Sequence, residues 1–190
     1  MRWALAVSFQ EDLQQARIYE IVVRNLLLNR SGFCVCDVHG VPQCYHKGDL
    51  WVCWLRKDKN PREFFVEVKS DNRMHSTGNI FIEMEKTHHE LPYSDGWFAS
   101  EYDFIAYVDI VQCLVYYIDF RKMKRECDEN TMQKFYKANI KLPDCGGTKR
   151  VNGYAIPISF CQKKGWISGK VDSFSITQLE SAKLLAKAEK

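Results

Sequence analysis

Hydrophobic side chains recur every three to four positions between residues 11 and 29, with charged residues such as Arg17 and Glu20 between them. This period places the apolar residues on one side of an α-helix. Gly32 follows the periodic stretch and is a suitable helix stop. The pattern therefore predicts an amphipathic helix over Glu11–Asn29. Its apolar side consists of Leu13, Ile18, Ile21, Val22, Leu26 and Leu28.

From Phe33 onward the hydrophobic period changes to two, and β-branched and aromatic residues dominate. Alternation of this kind is typical of half-buried β-strands. Polar segments separate the strands, and one of them, Arg56–Arg62, has the composition of a hairpin loop. The predicted strands are Phe33–Val38, Leu50–Leu55, Phe64–Val68, Ile80–Met84, Phe104–Val108 and Cys113–Ile118.

The remainder of the chain mixes both periods. It predicts helices over Arg121–Ala138 and Ile176–Glu189 and a strand over Val151–Ser159. A leading helix, consecutive strands and late helices indicate an α+β fold rather than regularly alternating α/β units. The order of the strands in the sheet stays open at this point.

Composition narrows the class of protein. The 190 residues are 46% hydrophobic and 27% charged, which fits a globular chain with a single core and excludes low-complexity architectures. The longest apolar runs, of about nine residues, are far shorter than the ~20 residues of a membrane span. The apolar opening segment lacks a signal-peptide cleavage pattern. Eight cysteines without a secretion signal favour a reducing, cytoplasmic location.

Charge is distributed unevenly along the chain. Residues 1–120 carry 12 Lys and Arg against 17 Asp and Glu, whereas residues 121–190 carry 15 against 7. This asymmetry suits a protein in which acidic groups hold a metal in one region and basic groups hold a polyanion in another.

The most informative polar residues lie on two of the predicted strands. Because alternate side chains of a strand share a face, Glu67 and Lys69 project together. Asp49 precedes the strand before them and comes opposite Glu67 if the two strands form a hairpin through the 56–62 loop. Two carboxylates would then converge on a hard cation such as Mg²⁺. A metal that polarises a phosphate and a bound water, with an ammonium beside it, implies phosphodiester hydrolysis.

Asp49 and the Glu67-Val68-Lys69 sequence, preceded by a helix containing Glu20, resemble the restriction-endonuclease-like superfamily, also called PD-(D/E)xK nucleases. The resemblance covers about residues 11–110 and is to small, phage-type, single-domain members, in which a Thr-Gly-Asn turn leads to a strand ending in Glu. Two positions depart from the family pattern: Gly48 stands where the motif has proline, and Ser70 follows Lys69. The other matching segments are Ser76–Glu83, Asp95–Phe98 and Tyr102–Phe104.

The resemblance implies a mixed β-sheet with a leading helix and flanking helices, forming one nuclease domain over residues 1–190. The catalytic core would span about 11–120 and a basic extension about 121–190. Asp49, Glu67 and the carbonyl of Val68 would ligate Mg²⁺ or Mn²⁺, Lys69 would serve the attacking water, and Glu20 would add a carboxylate. The expected partners are duplex or branched DNA and a second copy in a homodimer. The similarity to phage-type members suggests a virus-encoded protein.

Nucleic-acid contacts are expected at two places. The basic run Arg121-Lys122-Met123-Lys124-Arg125 suits phosphate groups, and Thr77 and Asn79 flank the glycine of the matched turn. Glu83 and Asp103 are candidates for positioning the substrate. Because no additional recognition domain is evident, we expect a structure-selective or weakly sequence-specific endonuclease. The choice between duplex, branched and single-stranded targets stays open.

Two non-catalytic alternatives stay open. Five potential zinc ligands lie within 13 residues, which would suit a zinc-stabilised module that binds nucleic acid or protein; they are Cys34, Cys36, His39, Cys44 and His46. Structural zinc sites favour at least two residues between paired cysteines, whereas one residue separates Cys34 from Cys36. The other alternative is a catalytically silent nuclease fold, although such a scaffold has no need for Asp49, Glu67 and Lys69 together.

Overall fold

A central sheet of six strands lies between two helices on one face and a second sheet on the other, in a computed structural model that describes residues 9–38, 41–44, 47–57, 59–88, 91–95, 100–127, 129–132, 134–141 and 149–189. The helices are α1 (Phe9–Leu28), α2 (Met74–Thr77), α3 (Phe120–Glu126), α4 (Glu129–Met132), α5 (Ile158–Lys163) and α6 (Ile176–Ala188). The strands are β1 (Phe33–Asp37), β2 (Leu50–Trp54), β3 (Arg62–Asp71), β4 (Asn79–His88), β5 (Leu91–Asp95), β6 (Phe104–Asp109), β7 (Leu114–Asp119), β8 (Tyr136–Lys141), β9 (Lys149–Pro157) and β10 (Ile167–Ser173).

The central sheet has the order β1-β2-β3-β6-β7-β10. Its strands pair antiparallel except for β3 and β6, which run parallel. A parallel pair needs a crossover, and the chain between β3 and β6 supplies it with α2, β4 and β5. The predicted class, an α+β fold with a mixed sheet, a leading helix and flanking helices, is therefore confirmed.

The second sheet has the order β5-β4-β9-β8 and is antiparallel throughout. Tyr107 of β6 connects the two sheets, because its hydroxyl accepts the N–H of Phe81 at 3.0 Å and donates to Asp71 at 3.0 Å. Residues 121–190 thus supply β10 to the central sheet and β8 and β9 to the second one. The basic part of the chain is built into both sheets.

Each face of the central sheet has its own hydrophobic core. On one face, α1 and α6 pack against Val52, Val66 and Val108, and on the other face Ile105 and Tyr107 pack against Ile80 and Ile82 of β4. The alternation of β3 explains the division, since Val66 belongs to the first core and Phe65 lies against the second. A strand covered on both faces is a rigid support for the polar residues near its end.

The apolar side of α1 differs in part from the predicted one. Leu13 and Leu28 are exposed, whereas Tyr19, Val23 and Leu27 are buried. The buried residues recur at intervals of four, so the helix presents a face rotated slightly from the predicted one toward the sheet and α6.

The helix predicted over Arg121–Ala138 is wrong in its second half. Asp119 caps α3 by accepting the N–H of Lys122 at 2.8 Å, and Cys127 adopts an extended conformation that ends the helix. The segment Tyr136–Lys141 is instead the edge strand β8 beside β9. The sequence prediction also missed β5, β10 and α5. The strand predicted over Val151–Ser159 ends at Pro157, because α5 begins at Ile158.

None of the described helices has the length and hydrophobicity that a membrane-spanning helix needs.

The helix α6 begins with a capping box at Ser175. The Ser175 hydroxyl accepts the N–H of Gln178 at 3.2 Å, and the Gln178 side chain accepts the N–H of Ser175 at 2.7 Å. We expect Ser175→Ala to lower the free energy of unfolding by about 0.5–2 kcal/mol, because the N–H of Gln178 loses its acceptor and only half of the capping box remains. Urea denaturation followed by circular dichroism measures the change.

Ser181→Ala in the same helix is the matched control. The Ser181 hydroxyl only donates to the carbonyl of Thr177 in the helix interior, at 2.9 Å. Alanine has the higher helix propensity there, so stability should stay the same or rise slightly. Equal losses for both variants would show that the cap is not what stabilises α6.

Candidate active site

The register of β2 and β3 places Asp49 across from Glu67. Leu50 pairs with Val66 in this antiparallel hairpin, and the N–H of Asp49 donates to the carbonyl of Val66 at 3.0 Å. Asp49 precedes Leu50 and Glu67 follows Val66, so the same register sets Asp49 opposite Glu67. The hairpin expected from the sequence is thus present, and it joins the two carboxylates predicted to act together.

Gly48 is required at the position before Asp49. Its φ of +114° is closed to proline and strained for other residues, and a Cβ atom there would lie 2.8 Å from the carbonyl oxygen of Val66. This backbone lets the chain before β2 approach β3 closely enough for the Asp49–Val66 hydrogen bond. The departure from the proline of the family motif therefore has a local geometric cause.

Asp49 is held between carboxylates. Its Oδ2 accepts the N–H of Val68 at 2.8 Å. Burial, together with the charges of Glu67 and Glu20, raises the pKa of Asp49 to about 8, although the Val68 N–H and Lys69 act in the opposite direction. Without a cation beside it, Asp49 is therefore largely protonated at neutral pH.

Lys69 supplies the neighbouring positive charge. Its ammonium lies 2.5 Å from Oε1 of Glu67, and the two side chains are 37% and 16% exposed. Burial by itself lowers the pKa of Lys69, but the carboxylates of Glu67, Asp49 and Glu83 outweigh it and hold the pKa above its ordinary value. Lys69 is therefore a protonated cation at neutral pH. The structure also brings Glu83 of β4, a candidate from the sequence, close to it.

Glu20 of α1 also lies near Asp49, but an arginine donates a hydrogen bond to one of its carboxylate oxygens. Glu20 is buried, and its Oε2 accepts a hydrogen bond from Arg17 at 2.8 Å. Arg17 also contacts Asp37 and binds Glu189 at 2.7 Å. Glu20 therefore contributes its charge to the environment of Asp49 while Arg17 fixes its position.

Sequence reasoning missed the roles of Tyr102, Lys47 and Arg17. Tyr102 is buried, and burial together with Glu67, Glu83 and Asp49 raises the pKa of its hydroxyl, which stays protonated. The ammonium of Lys47 lies 5.4 Å from the ring centroid of Phe65, on the face of β3 that carries Glu67. The spacing of Arg17 and Glu20 was a usable signal, because residues three apart are neighbours on a helix.

Asp103 has a supporting role. Its Oδ2 accepts the N–H of Phe65 at 2.8 Å, and its Oδ1 pairs with Nε of Arg121 at 2.6 Å. Asp103 thus connects the start of β6 to β3 and α3. Its carboxylate is engaged with groups of the fold, so the structure does not place it among the carboxylates around Asp49.

The donor set fits a hard divalent cation that keeps part of its hydration. Among the described residues, no three carboxylate, imidazole or thiolate groups converge as metal ligands. Two carboxylates and the Val68 carbonyl would be sufficient for Mg²⁺, which keeps several waters and shares phosphate oxygens. The raised pKa of Asp49 is the observation that favours a cation here, since a positive ion would relieve the repulsion among the carboxylates.

The described members of the cysteine and histidine cluster, Cys34, Cys36 and Cys44, form no metal-ligand group. Cys34 and Cys36 are exposed free thiols on β1, and Cys44 is a free thiol in a short 3₁₀ turn. His39 and His46 lie outside the described residues. All the cysteines within the described ranges are free thiols.

The predicted nucleic-acid contacts on α3 have partners within the protein. Lys122 donates to the carbonyls of Lys164 and Gly165 at 3.1 and 3.2 Å, and Lys124 donates to the carbonyl of Ser100 at 3.1 Å. Arg121 pairs with Asp103, whereas Arg125 is exposed. Binding of nucleic acid by this run stays a prediction, to which the exposed faces of Arg121 and Arg125 are best suited.

Thr77 and Asn79 border the turn between α2 and β4. The Thr77 hydroxyl donates to the carbonyl of Arg73 at 3.0 Å and accepts the N–H of Asn79 at 3.3 Å. These contacts shape the turn, and a role of the two residues in nucleic-acid binding also stays a prediction.

No protein-family model matches the chain, and no curated protein matches its sequence. Among solved structures, the chain is similar to D212, a nuclease from a fusselovirus, with a TM-score of 0.34 and 10% sequence identity over 100% of this chain and 98% of that one. A TM-score this low carries no argument about activity. The functional proposal therefore depends on the site itself.

The carboxylate repulsion predicts a pH-dependent stability. Because the fold raises the pKa of Asp49 from 3.8 to about 8, its stabilising proton is fully retained below about pH 4 and lost as the pH rises through about 8. Asp49→Asn keeps an oxygen for the Val68 N–H and never ionises. In EDTA we expect its Tm to match the wild type near pH 4 and to exceed it by roughly 10 °C at pH 8.5.

Asp172→Asn is the control for this measurement. Asp172 accepts a hydrogen bond from Arg30 at 2.6 Å, so neutralising it removes an attraction and should lower the Tm at neutral pH. A stability difference between wild type and Asp49→Asn that does not change with pH would contradict the proposed repulsion.

Proposed function

We propose that the protein is a metal-dependent nuclease that hydrolyses phosphodiester bonds of DNA. The main support is that Asp49, Glu67 and Lys69 lie together at the open end of the β2–β3 hairpin. Burial and the neighbouring carboxylates raise the pKa of Asp49 there to about 8. A hard cation and an anionic substrate are the partners that such a site would bind. Burial and the neighbouring carboxylates make an ionised Asp49 unfavourable for folding, which supports a role for the site in binding a cation.

Asp49, Glu67 and the carbonyl of Val68 are the groups that would hold Mg²⁺ or Mn²⁺. When bound, the cation supplies charge neutralisation at the scissile phosphate and a water of lowered pKa. Asp49 is held in position by the Val68 N–H, which donates to its Oδ2. Glu67 is oriented by Lys69.

Lys69 is the residue that would act on the reacting groups by charge. Its pKa above the ordinary value keeps it an ammonium, so it serves as a donor and not as a base. It would orient the attacking water and stabilise the negative charge that develops on the phosphate oxygens. The protonated Tyr102 hydroxyl offers a second donor near Glu67.

DNA is the proposed substrate, cut with preference for structure over sequence. The 70 residues after position 120 carry 15 Lys and Arg against 7 Asp and Glu, an excess that suits a polyanion. A second copy of the chain in a homodimer is proposed with it, since two sites would cut both strands of a duplex in one binding event.

Cleavage should require the cation and both carboxylates. We expect labelled duplex, nicked, flap, four-way and single-stranded DNA substrates to be cut, if at all, only with Mg²⁺ or Mn²⁺ and not with EDTA. Asp49→Asn and Glu67→Gln should abolish cutting, while Glu180→Gln, an exposed carboxylate on α6, should leave it unchanged. Undiminished cleavage after thorough chelation would reject the mechanism, and binding without cleavage of any substrate would favour the silent alternative.

Lys69→Met tests the role of the ammonium. Because Asp49 and Glu67 remain, the variant should still bind Mn²⁺ and DNA, but single-turnover cleavage should fall by roughly 10²–10³ through the loss of one preorganised donor. Lys187→Met, on the exposed side of α6, is the matched control. Weaker DNA binding with an unchanged cleavage rate would make Lys69 an ordinary phosphate contact.

A further inference from the structure

A cavity of about 200 Å³ lies at the end of the central sheet away from Asp49. It is bordered by Trp54 and Arg62, the last residue of β2 and the first residue of β3. Val66 and Leu27 also line it, which places it on the face covered by α1. About 16 Å of strand separates Trp54 from Asp49, so the Trp54 end of this cavity is distinct from the carboxylate site, while Val66 at its other end precedes Glu67.

Aromatic rings form most of its wall. Neighbouring rings contact each other at centroid distances of 5.8 Å for Phe33 and Trp54, 6.0 Å for Phe33 and Phe64, and 5.2 Å for Phe64 and Phe104. Trp54 is 37% exposed, so its indole is accessible from solvent beside the cavity. Such a wall suits a flat ring that stacks on the indole and fills the space behind it.

Arginines accompany the rings. The Arg30 guanidinium lies 4.6 Å from the ring centroid of Tyr117, and its terminal nitrogen binds Asp172 at 2.6 Å. The Nε of Arg30 is buried and has no acceptor among the described residues, although Arg30 lines the cavity. A buried donor without an acceptor is costly. A ligand that carries a carbonyl or an anionic oxygen would satisfy it.

The loop beside the cavity adds positive charge. Residues 56–62 carry four Lys and Arg against one Asp, and Arg62 itself lines the cavity. Arg56 lies 5.6 Å from the Trp54 ring centroid, and its Nε is also buried without a described acceptor. Asp172 neutralises Arg30, so the net positive charge comes from this loop. Flat apolar faces beside guanidinium groups match a nucleobase joined to a phosphate.

We propose that this cavity binds one unpaired nucleobase, stacked on Trp54, with its phosphate on Arg62 and Arg56. The base comes either from a free mononucleotide or from an unpaired position in a nucleic-acid strand. In both cases the cavity would contact a base and the phosphate joined to it. The inference goes beyond the proposed nuclease activity, because binding here needs neither the carboxylates nor a metal.

The test measures binding in EDTA, where the proposed hydrolysis does not occur. The probes are a labelled duplex with a single-stranded overhang, the blunt duplex of the same sequence, and 5′-mononucleotides as competitors. We expect the overhang duplex to bind more tightly than the blunt one. Competition by mononucleotides would assign the site to free nucleotides, and its absence would assign it to strands; both results support a base-binding cavity.

Four variants test the assignment. Trp54→Leu should weaken overhang binding roughly 5- to 150-fold, whereas Trp54→Phe, which keeps a ring, should retain most of it. Arg62→Gln should weaken binding and lower its salt dependence by about 0.7 in slope. Lys187→Gln on α6 is the charge-matched control and should match the wild type.

Three results would overturn the proposal: no binding of any probe by the wild type, equal affinity for blunt and overhang duplexes, or Trp54→Leu and Arg62→Gln indistinguishable from Lys187→Gln. Failure of the nuclease proposal would give results that differ from these three. Absence of cleavage with intact overhang binding rejects the carboxylate site alone, and cleavage without a Trp54 effect rejects the cavity alone.

Discussion

The antiparallel register between β2 and β3 sets Asp49 against Glu67 across one strand spacing, and the buried carboxylate of Glu20 approaches from α1. Burial, together with repulsion from Glu67 and Glu20, makes this an unfavourable place for Asp49 to ionise, which is why its pKa rises to about 8. Each of these carboxylates has its own donor: the N–H of Val68 for Asp49, the ammonium of Lys69 for Glu67 and the guanidinium of Arg17 for Glu20. A site that opposes folding in this way is understandable when a cation is part of its function.

The elements around the site keep that register fixed. Gly48 allows the close approach of the two strands, and cores on both faces immobilise β3. The parallel pairing of β3 with β6 brings Tyr102 to the same region, while Asp103 connects β6 to β3 and α3. At the far end of the chain, Glu189 after α6 binds Arg17, so the last helix stabilises the position of Glu20. The site thus depends on residues from both ends of the chain.

Local patterns predicted the leading helix, the β2–β3 hairpin and the placement of Glu67 beside Lys69, because alternation and helical periods are properties of neighbouring residues. They failed where long-range pairing decides the structure. Tyr136–Lys141 is a strand because β9 offers it an edge, and Ile167–Ser173 joins β7 across a register shift, without a regular alternation of its own. In the site, the contact of Arg17 with Glu189 spans 172 positions, and no spacing rule reaches that far. The positive φ of Gly48 likewise depends on the close approach of Val66, which no local pattern encodes.

Calorimetric titration of the protein with Mg²⁺, in two buffers of different ionisation enthalpy, tests most directly the claim that the carboxylate pair holds a divalent cation. Because the pKa of Asp49 is about 8 in the metal-free protein, we expect binding at pH 7 to release close to one proton and binding at pH 9 to release far less. Asp49→Asn and Glu67→Gln should both lose the binding. Absence of Mg²⁺ binding by the wild type, or equal binding by the Asp49→Asn variant, would contradict the account.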